Sequence, residues 1–175
     1  LRTGGGGISV VCLLVLAWRT VPELPLVFAG NRDEFHQRPT AACHWWREPV
    51  GILGGRDLEA GGGWLAVNRG GRLAVVTNVR EPGAKVTGQR SRGELVADVL
   101  SFDGPIRDWI AGLDERRADY AAFNLMIRDG ENLHYLTNRG EDRLDLEGAR
   151  GRDQAARGLV RRVSRVALHH HGDAI

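Results

Sequence analysis

Between Val10 and Thr137 the sequence is cut into short apolar runs by tight-turn signals, and helical spacing breaks that pattern once. Short β-branched runs bounded by Gly, Pro or Asn read as strands, whereas apolar residues three and four apart read as helix. Val10 to Trp18 therefore predicts a buried strand, and Leu26 to Gly30 a second one, paired to the first as a hairpin across Pro22 and Pro25. Asn31 to Pro39 is a polar loop, and Gly51 to Gly55 a short strand. Gly61, Gly62 and Gly63 read as a flexible approach to a strand at Trp64 to Val67. Asn68-Arg69-Gly70-Gly71 is a turn, with Arg72 to Asn78 the returning strand. Ser91-Arg92-Gly93-Glu94 has the pattern of a capping box, in which the Ser hydroxyl takes a first-turn amide and the Glu reaches back. Leu95, Val96, Val99 and Leu100 form the apolar face of the helix that follows. A second helix starts at Pro105 and turns Ile106, Trp109, Ile110 and Leu113 inward. Phe123 to Arg128 and Asn132 to Thr137 flank Asp129-Gly130, whose two residues tolerate the positive φ of a tight hairpin. Strands, two helices, then strands again define an α+β fold with an antiparallel sheet packed on helices.

The length of 175 residues suits one globular domain with a real core. With 24 basic and 22 acidic residues, the net charge excludes little. The excess positive charge sits in the tail, where six Arg and two Asp fall between Arg150 and Ile175. No nucleic-acid-binding motif accompanies it, so we expect no nucleic-acid partner. Two cysteines, Cys12 and Cys43, make neither a disulfide framework nor a four-ligand zinc site, and a reducing, cytoplasmic setting fits them. No run of 18 apolar residues exists, so no transmembrane helix is expected. The apolar stretch from Ile8 to Ala17 lacks the small-x-small cleavage pattern of a signal peptide. Cys43 and His44 beside Trp45-Trp46 read as aromatic packing with a hydrogen-bonded His rather than as ligands.

The densest polar block is Asn31-Arg32-Asp33-Glu34, followed by Phe35 and Arg38-Pro39. Gly54-Gly55-Arg56-Asp57, Gly63-Trp64-Leu65-Ala66-Val67, Leu73-Ala74-Val75-Val76-Thr77-Asn78 and Arg90-Ser91-Arg92-Gly93-Glu94-Leu95-Val96 come after it in order. Phe123-Asn124-Leu125 and Thr137-Asn138-Arg139-Gly140 complete the series. In these blocks, from Cys12 to about Gly140, the chain resembles the NRDE family, also called the Transport and Golgi organisation protein 2 family. Members of that family typically begin Met-Cys directly before the first strand, and the matching dipeptide is Val11-Cys12. The family in turn is similar to the N-terminal-nucleophile hydrolases, which implies an αββα sandwich with antiparallel sheets. In their amide-cleaving choloylglycine-hydrolase branch, a first-strand Cys is followed by Asn-x-Asp and later by an Asn after a Gly-Leu-Ala-Val-like strand. The matching positions are Cys12, Asn31-Arg32-Asp33 and Asn78. Two departures stand beside the match: Gly30 replaces an Arg of that branch, and a further late Asn has no counterpart.

The resemblance implies catalytic roles for Cys12, Asp33 and Asn78, and substrate contacts from Asn31, Arg32 and Glu34. An N-terminal Cys can be activated by its own α-amine, which titrates near neutral pH. Asp33 can anchor that amine, Asn78 can donate to a developing oxyanion, and Arg32 can bind a carboxylate or favour the thiolate. Against these roles stand a buried structural Cys12, a polar turn at Asn31 to Glu34, and Asn78 as a turn residue before Pro82. Two functions follow. One is a cysteine amidohydrolase acting on a small amide without a cofactor. The other is a non-enzymatic handler of haem or lipid, with haem as a ligand. The oligomeric state is not legible.

Residues 1–10 are Gly-rich, lie outside the family pattern and read as a flexible leader, with the natural start expected at Val11. Residues 141–175 read as a divergent basic tail, so the C-terminal half of the family pattern is expected to be missing or divergent, through a frameshift or as a short variant. Within that tail Ala156, Leu159, Val160, Val163 and Ala167 share one helical face, and His169-His170-His171 reads as a solvated end.

Overall fold

A computed structural model describes residues 12–21, 23–32, 34, 36–79, 90–139 and 143–146, with backbone alone at 13, 20, 21 and 143–146. The leader, Asp33, the expected tail helix and the His169–His171 run lie outside the described residues. Two compact units divide the chain, one carrying the N-terminal hairpin and the other running over Phe35–Ala149.

The hairpin is the antiparallel pair β1 (Leu13–Val21) and β2 (Leu24–Asn31). Leu14, Leu16 and Trp18 are buried whereas Val15 between them is 55% exposed, so β1 has one buried face rather than two. Near the turn the register shifts between Trp18 and Val21, and Arg19 adopts φ 50° there. A bulge of this kind accommodates an extra residue in the ladder.

The second unit is a seven-stranded antiparallel sheet whose spatial order follows the chain. Its strands are β3 (Thr40–Trp45), β4 (Ile52–Asp57), β5 (Leu65–Asn68), β6 (Leu73–Asn78), β7 (Phe123–Asp129), β8 (Asn132–Thr137) and β9 (Arg143–Leu146). Helices α1 (Arg92–Ser101) and α2 (Ile106–Arg116) leave the sheet after β6, and the chain rejoins it at β7. The fold is thus α+β with antiparallel strands, as the sequence pattern predicts. β9 carries the sheet past Gly140. β3, for which the sequence held no signal, is the opposite edge strand and is mostly exposed.

Period-two alternation sorts the sheet into two faces. Ile52, Ala66, Ala74, Val76, Phe123, Leu125, Ile127 and Leu136 join the helix residues in one buried core. Every apolar position expected of the helices is in it: Leu95, Val96, Val99 and Leu100 from α1, and Ile106, Trp109, Ile110 and Leu113 from α2. α1 lies across β4, β5 and β6. It begins with the expected capping box, in which the Ser91 amide donates to Glu94 Oε1 at 3.1 Å and the Gly93 amide to Ser91 Oγ at 3.3 Å.

The other end of α1 has no basic residue in its last turn, and the β5–β6 hairpin supplies its cap. Arg72 donates to the carbonyls of Val99 (3.0 Å), Phe102 (2.8 Å) and Gly104 (3.2 Å) and to Asp129 Oδ1 (3.0 Å). Asn68 Nδ2 takes the Leu100 carbonyl at 2.9 Å, while its Oδ1 accepts from the Arg72 amide at 2.9 Å. Carbonyls at a helix C-terminus have no partner within the helix and carry partial negative charge, so a guanidinium there satisfies both needs.

Two sequence readings change. Gly62 and Gly63 are buried, and a Cβ on Gly62 would lie 2.3 Å from the Gly93 carbonyl carbon. Gly62 and Gly63 therefore make a fixed backbone-to-backbone contact with the first turn of α1, while the exposed Gly61 supplies a positive φ of 76° to the turn before it. In the β7–β8 hairpin Asp129 pairs with Asn132, so the two turn residues are Gly130 and Glu131, and the positive φ falls on Gly130 (55°). A glycine at the first central position is the signature of a II′ turn rather than of the Asp-Gly I′ form.

Candidate functional site

The hairpin decides where the N-terminal candidates lie. Leu13 pairs with Asn31, so Cys12, one residue earlier, stands at the same end of the ladder as the block that follows β2. Residues twenty apart in sequence are thereby neighbours at one strand end. Cys12 is half-buried and reduced. Asn31 is exposed. Arg32 Nη2 donates to Glu34 Oε2 at 2.6 Å, with 23% and 28% of the two side chains exposed. A pair this short and half-shielded holds the fork of Arg32 in place. Asp33, between the two, lies outside the described residues.

Asn78 belongs to the second unit. It ends β6, pairs with Phe123, and is exposed. Among the described residues its side-chain amide has no hydrogen-bond partner, whereas those of Asn124 and Asn138 both donate and accept. Asn138 accepts from the Phe123 amide at 2.9 Å and donates to the carbonyls of Arg117 and Tyr120 at 3.1 Å each. Thr137 Oγ1 donates to the Phe123 carbonyl at 2.8 Å. The Thr137-Asn138-Arg139 block is thus a brace that holds the entry to β7.

The block Gly54-Gly55-Arg56-Asp57 is likewise architectural. Asp57 accepts from Arg38 Nε at 2.7 Å and from the amides of Glu59 and Ala60 at 3.0 Å. Burial pushes the Asp57 carboxyl up, but the Ala60 amide, the Arg38 guanidinium and the Glu59 amide together hold it below its ordinary value of 3.8. Two blocks of the sequence, Arg38-Pro39 and Asp57, are therefore halves of one ion pair. Trp46 is buried, donates from Nε1 to the Gly54 carbonyl at 3.0 Å and lies under Arg56 at 4.7 Å. Trp45 is 46% exposed and carries Arg69 at 4.2 Å. Cys43 and His44 are exposed, with His44 Nδ1 at 2.7 Å from the Ala42 carbonyl. Among the described residues no group of three or more His, Cys, Asp and Glu side chains is placed to hold a metal ion.

Sequence reasoning missed Arg72, which joins α1 to the sheet. It also missed Thr77, Asn124 and Tyr135 as a connected set. Tyr135 Oη donates to Asn124 Oδ1 at 2.8 Å, and Asn124 Nδ2 donates to Thr77 Oγ1 at 3.4 Å. The available signal was positional, since residues of one parity on neighbouring strands share a face.

A hairpin that brings a cysteine to a polar Asn-Arg-x-Glu edge, and an antiparallel sheet backed by two helices, define an α+β protein of a recognisable class. The family model described as Transport and Golgi organisation 2 matches residues 11–160, and the chain belongs to that family. It is 36% identical over 124 residues to the Transport and Golgi organization protein 2 homolog of Bos taurus, covering 66% of this chain and 45% of that one. The Mus musculus homolog is 35% identical over the same coverage, and Transport and Golgi organization protein 2 of Drosophila melanogaster 32% identical over 113 residues. The chain spans a little under half, 45%, of the length of the mammalian relatives it matches. Among the described residues no helix is long and apolar enough to cross a membrane.

Proposed function

We propose that this chain carries the nucleophile-bearing part of a cysteine amidohydrolase that acts on a small amide, with an N-terminal-nucleophile-like αββα arrangement. The observation that carries the reading is the β1–β2 register. It sets Cys12 beside the Asn31–Glu34 edge, so that a thiol and a charged, half-shielded recognition edge share one strand end. By the family resemblance Asn78, which ends β6 and is exposed, is assigned the donor to the developing oxyanion. In this mechanism processing exposes Cys12 as the N-terminal residue. Its α-amine, anchored by Asp33, takes the thiol proton, and the thiolate attacks the amide carbonyl. The C–N bond breaks, the amine leaves with a proton returned by the α-amine, and water then hydrolyses the thioester to release the acid. Arg32 with Asn31 and Glu34 orients the substrate. Two cysteines make no disulfide framework, which fits a reducing compartment, and we place the protein in the cytoplasm.

Covalent labelling by a thiol-reactive β-lactam probe tests this. Labelling should disappear in Cys12→Ser and persist in Cys43→Ser, and Asp33→Ala should slow it. Equal labelling of Cys12→Ser and the parent chain would remove the hydrolase reading and leave a non-enzymatic ligand handler, of haem or lipid, as the function of the same edge.

A further inference from the structure

The face of the sheet turned away from the helices holds a row of uncharged polar side chains that no structural role exhausts. Thr77 on β6 pairs with Asn124 on β7, and Asn124 with Thr137 on β8. Tyr135, two residues before Thr137 on the same face, reaches Asn124 from the side. The hydrogen bonds run in one direction. Tyr135 Oη donates to Asn124 Oδ1 (2.8 Å), which turns the amide so that Nδ2 donates to Thr77 Oγ1 (3.4 Å). A hydroxyl accepts and donates at once, so a Thr77 oxygen that accepts from Asn124 still has its own proton to give. Among the described residues nothing receives that proton.

Burial shows which end of the row meets its surroundings. Val75 and Met126, the next residues on this face, are 2% and 3% exposed, and Tyr135 is 8% exposed. Thr77 and Asn124 are only half-buried. Two buried neighbours and a buried tyrosine thus hold a donor that stands at the accessible end. A chain of donors that polarise one another strengthens the last of them. All three side chains are neutral, so the row suits an uncharged oxygen and offers no countercharge to a carboxylate or phosphate.

We propose that Thr77 is a ligand-binding residue whose hydroxyl donates to a neutral carbonyl oxygen, an amide or an ester, and that Asn124 and Tyr135 are the positioning residues that aim it. The inference goes beyond the hydrolase reading and does not depend on Cys12 as the nucleophile.

Nuclear magnetic resonance titration of the full chain tests it, with N-hexylacetamide as the neutral carbonyl probe and sodium hexanoate as its charged counterpart. N-Hexylacetamide should shift the Thr77 signals and the Asn124 side-chain amide saturably. Thr77→Val should weaken that binding about tenfold, the equivalent of one hydrogen bond, and Thr77→Ser should restore it. Tyr135→Phe should weaken it about threefold, as loss of an orienting bond requires. A role confined to packing would instead move the thermal midpoint and leave the probe affinity of Tyr135→Phe unchanged. Three results overturn the proposal: no saturable shift at Thr77 and Asn124, equal binding to Thr77→Val and the parent chain, or hexanoate binding there more tightly than the amide. Should Thr77→Val fail to fold, the Tyr135→Phe and Thr77→Ser affinities decide the matter. Absence of β-lactam labelling in the parent chain, with this binding intact, would count against the hydrolase reading alone.

Discussion

At the scale of the residue, Arg72 does more than any candidate site residue to fix the second unit. Its guanidinium, 11% exposed, takes carbonyls from the end of α1 and from the link to α2, and pairs with Asp129 on β7. Truncating it leaves those carbonyls and one carboxylate without a donor, and unsatisfied groups cost more than the bonds contributed. Arg72→Ala should lower the unfolding free energy by about 2–4 kcal/mol in chemical denaturation, and Arg72→Lys should recover only part of it. A loss below about 0.5 kcal/mol, usual for an unremarkable surface site, would refute the capping role. None of this was legible in the sequence. An arginine between Gly71 and Leu73 looks like a solvated turn residue, and its partners lie 27 to 57 residues away. Asn138 was hidden for the same reason, because a brace is visible only once both of its ends are placed.

At the scale of the element, legibility followed local physics. The capping box of α1 and the inward faces of both helices could be read because they depend on spacing within one segment. The β1–β2 hairpin was legible too, whereas the meeting of Cys12 and Asn31 at one strand end needed the strand register. β3 was not. Thr40–Trp45 is an exposed edge strand, so it has no buried face to write an alternation into its sequence. The triple glycine misled, since a glycine needed for close approach looks the same as one needed for freedom. Substitution separates the two. Gly62→Ala would push a methyl into the backbone of Gly93 and should destabilise the fold by about 1–3 kcal/mol. Gly112→Ala, in α2 with open space around its Cβ position, should stabilise it by about 0.5–1 kcal/mol. Thermal unfolding of the two variants gives opposite signs if the contact is real, and the same sign if the glycines act through flexibility.

At the scale of the whole molecule, the second unit is a simple meander with one excursion. Of the six neighbour pairs in its seven-stranded sheet, five follow directly in the chain without an intervening helix, and the α+β class was readable from that order alone. The joint between β6 and β7 is different, because residues 79–122 separate Asn78 from its partner Phe123. Closing a loop of this length costs about 1.5–2 kcal/mol more in chain entropy than closing the 58–64 connection between β4 and β5. The sheet should therefore assemble as two local ribbons, β3 to β6 and β7 to β9, that meet late, once α1 and α2 have folded back between them. Pulse-labelling hydrogen exchange during refolding would see amides bonded across β6 and β7 become protected after those within either ribbon, and simultaneous protection of all of them would rule this order out. On this view the seam at the centre of the finished sheet is its youngest part. Thr77, Asn124 and Asn78 all lie on that seam, so their mutual placement exists only in the fully folded chain.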